Sequence, residues 1–181
     1  MAFWKDSQDS LSVSGYILEV LAPDSSQTTL TAARELLIEY GHFVQSHPNI
    51  AHFCFGDLEI EAAQLPHSYL NAGGGALLAL VSGKPVGFVA WRELANRELA
   101  NAFEVKRLWV RPAGRGLGIG RALIQSLEKR AQAAGKASLF LDTSPESMPE
   151  AYRLYHDLGF RDCLPYDGKS PAGIVYMRKN L

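Results

Sequence analysis

Apolar residues recur along the chain with two rhythms, and the switches between them predict its elements in order. "GYILEVLAP" (Gly15 to Pro23) is a β-branched and aromatic run closed by a proline, which predicts a first strand. From Ser26 to Ser46, Leu30, Ala33, Leu37 and Tyr40 fall at helical spacing with Leu36 alongside. Ser26 or Thr29 serves as its cap, and Gly41 ends or bends it. "FGDLEIEAAQLP" reads as a shorter helix stopped by Pro66, and "NAGGG" as a flexible connector. "ALLALVSGKPVGFVAWREL" holds two apolar runs joined at Ser82-Gly83-Lys84, a hairpin pattern.

"AFEVKRLWV" predicts a strand that runs through a glycine-rich turn into a helix. That helix puts Gly120, Leu123, Ile124, Leu127, Ala131 and Ala134 on one face, and Gly135 stops it. "ASLFLDT" is a strand. A helix over Ser147 to Leu158 opens on the capping-box pattern Ser147-x-x-Glu150, and "GIVYMRK" is the last strand. The order β-α-α-β-β-β-α-β-α-β predicts an α+β fold, a mixed sheet with helices on both faces. Residues 1–14 read as a flexible tail and 15–181 as one domain.

Composition narrows the classes. The chain has 181 residues, 47% hydrophobic and 20% charged, with a net charge of −1. That balance suits a globular protein and speaks against a chain-wide nucleic-acid or membrane-surface role. No run approaches the roughly 18 apolar residues that span a bilayer. The opening "MAFWKDSQDS" lacks a secretory apolar core. Cys54 and Cys163 form no close pair, so the expectation is a reduced, cytoplasmic protein with no metal.

The chemistry centres on "RPAGRGLGIGRAL". A strand, a glycine turn and a helix in succession present unpaired N–H groups at a helix's positive end, which binds phosphates. Between Val105 and Leu127 there is no acid, while Lys106, Arg107, Arg111, Arg115 and Arg121 are cationic, which points to a polyanion. Glycine is expected in the turn so that a phosphate can approach closely. No Lys-Ser or Lys-Thr follows, which disfavours a nucleotide P-loop. The third glycine arrives one residue early for a dinucleotide fold, although Asp142 imitates its ribose-binding acid.

The remaining pattern, Arg115-x-x-Gly118-x-Gly120, resembles the acyl-coenzyme A loop of the GNAT superfamily of N-acetyltransferases. "AYRLYHDLGF" resembles that family's second signature at the matching distance, so the likeness covers about Ala102 to Phe160. The resemblance implies acetyl-CoA as cosubstrate, with backbone N–H groups of Gly116, Leu117, Gly118, Ile119, Gly120 and Arg121 on its pyrophosphate. It further implies that Arg115 assists and that Leu108, Trp109 and Val110 pair with the pantetheine arm. Tyr155, a core tyrosine on helix pattern alone, becomes the acid that protonates the leaving thiolate. Glu104 becomes the base acting through water, against the plainer reading of a strand glutamate paired with Lys106 or Arg107. Strand alternation puts Glu104 on one face with Lys106, Leu108 and Val110. Met148 stands where many relatives carry Asn, and Asp142 and Thr143 end their strand as caps or cleft residues.

Acceptor selection falls to the early helices and "PYDGKSPAG", with His42, His47, His52, Tyr69, Tyr166 and Asp167 as the side chains to inspect. The expected acceptor is a small-molecule amine. A protein amine is the second reading, and a non-catalytic acyl-CoA sensor the rival from another class. Dimers are common in the resembling family, so a homodimer is compatible with the chain.

Overall fold

The computed structural model describes residues 11–13, 15–51, 58–94, 99, 101–169 and 171–181. Its centre is an eight-stranded sheet: β1 (Leu11–Val13), β2 (Tyr16–Val20), β3 (Gly75–Val81), β4 (Lys84–Glu93), β5 (Ala102–Val110), β6 (Ser138–Thr143), β7 (Arg161–Cys163) and β8 (Val175–Asn180). The spatial order is β1-β2-β3-β4-β5-β6-β8-β7, and every neighbouring pair is antiparallel except β5 and β6. Helices α1 (Gln27–Gln45), α2 (Pro48–Ala51), α3 (Leu58–Ala63) and α4 (His67–Leu70) precede β3, α5 (Ile119–Ala133) follows β5, and α6 (Pro149–Asp157) follows β6.

Alternation along the strands feeds two cores. Leu77, Val89, Phe103, Val105, Leu139 and Leu141 face α5 and α6. Leu78, Phe88 and Ala90 face α1 to α4. A smaller cluster of Leu94, Ala102, Phe140, Tyr166 and Tyr176 closes the far end. Helices therefore cover both faces, as the element order predicts.

Several local expectations change. The short edge strands β1 and β7 add to the six expected, so the sheet begins at Leu11 rather than at Gly15. Ser26 caps α1 by accepting from the Thr29 N–H at 3.1 Å, but α1 runs straight through Gly41. Gly41 is a packing residue, since an added Cβ would overlap the Leu58 methyl. "NAGGG" is no loose connector: Gly74 is buried, and a Cβ there would sit 2.5 Å from Arg92 Cα. The Ser147–Glu150 capping box does not form. Met148 is the N-cap of α6 and contributes no side-chain bond, while the Ser147 N–H donates to Ser144 Oγ at 3.3 Å. The β3–β4 hairpin turns on Ser82 and Gly83, both with positive φ, as a two-residue primed turn requires.

Candidate active site

The site begins with a fault in β5. Gly87 and Phe88 of β4 pair with Val110 and Trp109, but Ala90 pairs with Lys106, so Arg107 and Leu108 together oppose Val89. Arg107 has φ +59°, the left-handed conformation of a bulge residue. One extra residue reverses the side-chain alternation. Phe103 and Val105 face α5 and α6, and beyond the bulge it is Leu108 and Val110 that do so, while Trp109 packs toward α1. Glu104 thus shares a face with Lys106 but not with Leu108 and Val110, which corrects the simple alternation.

The bulge also parts two strands. β5 and β6 pair only from Ala102 to Glu104 against Ser138 to Phe140, while β6 stays on β8 as far as Thr143. Past Glu104 the β6-facing edge of β5 is left out of the ladder. The gap is a narrow cleft of about 30 Å³ lined by residues of α1, β5, β6 and the start of α6: Tyr40, Val105, Lys106, Arg107, Leu108, Asp142, Thr143, Met148, Ala151 and Tyr155.

Arg107 is locked in place. Its guanidinium donates to both Glu61 oxygens, at 3.1 and 3.0 Å, and lies over the Tyr40 ring. The Tyr69 hydroxyl also donates to Glu61. Burial lowers the Arg107 pKa, but the hydrogen bonds and charge of Glu61 more than offset it, so the group stays cationic. Tyr69 is pushed well above 10 by burial and by the Glu61 charge. Of the other acceptor-side candidates, His47 Nδ1 lies 2.8 Å from the Phe43 carbonyl and His42 is exposed. His52 and Cys54 lie outside the described residues.

The glycine turn follows the C-terminal end of β5. Gly116 and Gly118 have φ of +76° and +75°, and an added Cβ at either would meet nothing within 4 Å. Glycine is therefore required there by backbone conformation, and close approach plays no part in the apo chain. Gly120 differs, because its Cβ would come 3.1 Å from Leu154 of α6. Gly118 is the N-cap of α5 with no side-chain cap, so the first-turn N–H groups are left to a ligand or to water. Leu117 is exposed, whereas Ile119 is buried in the core.

The basic cluster does not survive folding as free charge. Lys106 pairs with Glu104 and Asp142, Arg107 with Glu61, Arg111 with Glu39 and Glu35, and Arg121 with Asp157. Of the five, Arg115 alone has no carboxylate partner among the described residues. Its Nε donates to the Val110 carbonyl at 3.1 Å and its guanidinium lies over Trp109. Acids distant in sequence thus pair with four of the five cations, so charge clustering in the sequence overstates the free positive charge at the turn.

Beneath the cleft lies a buried polar group. Glu104, 4% exposed, accepts from Arg92 Nε at 2.6 Å through one oxygen, and from Lys106 Nζ at 3.2 Å and the Tyr166 hydroxyl at 3.1 Å through the other. Burial raises its pKa, but the Lys106 and Arg92 charges outweigh this and hold it below the usual carboxylate range. Lys106 is lowered by burial and raised further by Asp142 and Glu104, so it remains an ammonium. Tyr166 is shifted upward by burial and then by the Asp142 and Glu104 charges. Asp167 accepts from the Tyr176 hydroxyl at 3.0 Å. Glu104 is therefore the core of a network and not an open carboxylate.

Tyr155 is buried on α6, edge-on to Phe160, and lines the cleft. Burial first, then the Asp142 charge, pushes its pKa well above 10, so it holds its proton. Thr143 is 2% exposed, and its hydroxyl has no hydrogen-bond partner among the described residues. Sequence reasoning reached Tyr155, Lys106 and Asp142 but missed the clamp of Arg107 by Glu61. The signal was present: apolar positions 103 and 105 shift phase to 108 and 110 across Lys106-Arg107.

The chain matches the profile of the Acetyltransferase (GNAT) family over residues 35–160. It is 40% identical over 78 residues to an uncharacterized N-acetyltransferase of Schizosaccharomyces pombe, covering 43% of this chain and 47% of that protein. It is 40% identical over 81 residues to an IAA acetyltransferase of Azospirillum brasilense, covering 43% and 51%. The chain spans about half the length of these curated relatives. Among solved structures, a GNAT superfamily phosphinothricin acetyltransferase of Sinorhizobium meliloti in complex with AcCoA superposes with a TM-score of 0.69 at 18% identity, over 93% of this chain and 89% of that one. A parted β5–β6 pair, an uncapped glycine turn opening α5 and a cleft tyrosine on α6 thus coincide with a family match over most of the chain, and this protein belongs to the acetyltransferase (GNAT) family.

Proposed function

We propose that this chain transfers an acetyl group from acetyl-CoA to a primary amine of a small molecule, by direct attack with both substrates bound. One observation carries the reading. The unpaired edge of β5 and the Tyr155 side chain meet in one cleft, and the open N-terminus of α5 packs against the same helix as Tyr155, with Gly120 on Leu154 of α6. The residues suit acetyl-CoA: the turn at Gly116 and Gly118 has open space around it, and the Thr143 hydroxyl lacks a partner at the cleft wall. Bound there, acetyl-CoA supplies an activated acetyl group and a thiolate leaving group.

In this reading the N–H groups from Gly116 to Arg121 hold the pyrophosphate at the positive end of α5. Arg115 turns from the Val110 carbonyl to assist. Leu108, Trp109 and Val110 lie along the pantetheine arm, which pairs with those backbone groups that point away from β4, and one N–H faces the acetyl oxygen. The Tyr155 hydroxyl gives its proton to the departing sulfur. The amine's proton passes to the carboxylate network under the cleft, in which Glu104 holds Lys106 and Tyr166 in place.

The test is a thermal-shift comparison of acetyl-CoA, CoA, NAD and ATP, followed by thiol release across a panel of amines. Stabilisation by acetyl-CoA and CoA is expected, and stabilisation by NAD instead would overturn the reading. Binding without thiol release from any amine would favour the sensor. Tyr155→Phe is expected to keep the thermal shift while lowering kcat about 100-fold or more.

A further inference from the structure

Both oxygens of Glu104 are occupied, and its carboxylate is not among the groups that line the cleft. Asp142 differs on each count. It lines the cleft together with Tyr155, and only its Oδ1 is engaged, at 3.2 Å from Lys106 Nζ and 3.5 Å from the Tyr166 hydroxyl. Its Oδ2 has no hydrogen-bond partner among the described residues. Alternation on β6 would put Asp142 and Tyr155 on opposite faces of the sheet. They meet because β5 leaves β6 after Glu104 and opens the sheet between them.

We infer that Asp142 is the carboxylate that takes the proton from the acceptor amine and returns it to Tyr155, with Glu104 a positioning residue for Lys106 and Tyr166. This rests on the acetyltransferase reading above. The steps balance without an outside base. The neutral amine's lone pair forms the C–N bond to the acetyl carbon. The proton lost from that nitrogen goes to Asp142 Oδ2, and the C–S bond breaks with its electron pair on sulfur. Tyr155 protonates the sulfur, and the proton held by Asp142 restores the Tyr155 hydroxyl. The net change moves one proton from nitrogen to sulfur, as the reaction requires.

The surroundings of Asp142 support the assignment. Lys106 and Glu104 face it from β5, Tyr166 from the segment after β7, Tyr176 from β8 and Tyr155 from α6. Lys106 is its only cationic contact at hydrogen-bond range among the described residues, and the Asp142 charge is felt at the Tyr155 hydroxyl. An acid and a base coupled in one cleft are what proton return demands.

The test needs no known acceptor in its first half. Protein carrying ¹³C-labelled tyrosine, with the Tyr155 resonance assigned by Tyr155→Phe, is titrated by NMR alongside Asp142→Asn, Asp142→Glu and Glu104→Gln. In Asp142→Asn, Tyr155 is expected to ionise about one pH unit lower, as loss of a nearby charge requires. Glu104→Gln should move it less, and Asp142→Glu should keep it high. An identical Tyr155 titration in wild type and Asp142→Asn overturns the proposal.

In the second half, with amines that release thiol, Asp142→Asn should lower kcat about 100-fold or more and leave the acetyl-CoA thermal shift intact. Asp142→Glu should recover part of the rate. A larger kcat loss in Glu104→Gln than in Asp142→Asn overturns the assignment in favour of Glu104. Failure of wild-type protein to bind acetyl-CoA would overturn the underlying acetyltransferase reading instead, and the Tyr155 titration would still report on the pair.

Discussion

Glu61→Gln should destabilise this protein more than any exposed ion-pair change, because it removes the partner that holds the bulge. The Arg107–Glu61 pair has two hydrogen bonds of 3.1 and 3.0 Å, with side chains 12% and 20% exposed. Breaking a buried pair by removing one partner costs about 3–5 kcal/mol, since the remaining charge is left uncompensated. Glutamine keeps the volume and can accept one of the two bonds, so the lower end, about 3 kcal/mol, applies. For a domain of this size that is a fall in Tm of about 6–12 °C.

Function should fall with it, because Arg107 holds a left-handed φ where β5 leaves β6, and a looser bulge widens the cleft. The assay is a thermal melt of wild type, Glu61→Gln, Arg107→Gln and the double variant, with acetyl-CoA-dependent thiol release measured in parallel. The double variant should recover part of the loss, because no charge is then buried alone. A Tm for Glu61→Gln within about 2 °C of wild type, with unchanged turnover, would refute the reasoning.

Three further outcomes follow from the same packing and charge. Gly74→Ala forces a Cβ to 2.5 Å from Arg92 Cα and 2.6 Å from the Trp91 carbonyl carbon, backbone that cannot rotate aside. A loss of about 2–3 kcal/mol or more in urea unfolding is expected. Gly83→Ala, with open space at φ +74°, should cost only about 1 kcal/mol, and equal losses would contradict the steric account. Thr143→Val removes a buried hydroxyl that has no partner among the described residues. It should raise apo stability by about 1 kcal/mol while weakening the acetyl-CoA thermal shift, and a lowered apo Tm would argue against this.

Glu104 and Glu39 titrate below the usual carboxylate range, Glu104 through the charges of Lys106 and Arg92 against the effect of burial, and Glu39 chiefly through its hydrogen bond from Arg111. Their contribution is complete above the unfolded carboxylate pKa of about 4.3 and is lost as pH falls through the folded values. Urea midpoints should therefore hold from neutrality to about pH 5 and decline below it. Glu104→Gln should flatten that decline, and an acid limb as steep as in wild type would show that Glu104 contributes nothing to it.

Features governed by neighbours in the chain were legible in the sequence. The β3–β4 hairpin, the α1 cap at Ser26 or Thr29, the amphipathic α5 and the glycine turn that opens it depend on a few adjacent residues, although the left-handed φ of Gly116 and Gly118 came from the structure. The two family signatures likewise located the glycine turn and Tyr155. What required the tertiary structure was every feature whose partner is distant. Glu61 and Glu39 consume cations that look free in "VKRLWVRPAGR", because chain folding brings helix acids onto β5. Gly41 and Gly74 read as a break and a connector, yet Leu58 and β4 make them packing positions. Glu104 reads in the sequence either as a base acting through water or as a strand glutamate paired with Lys106 or Arg107, and only the fold adds Arg92 and Tyr166 to its partners. Asp142 and Tyr155, on opposite sheet faces by alternation, share a cleft only because one bulge residue, Arg107, parts two strands. Periodicity specifies which way a side chain points along its own strand. Only the assembled sheet decides what it meets there.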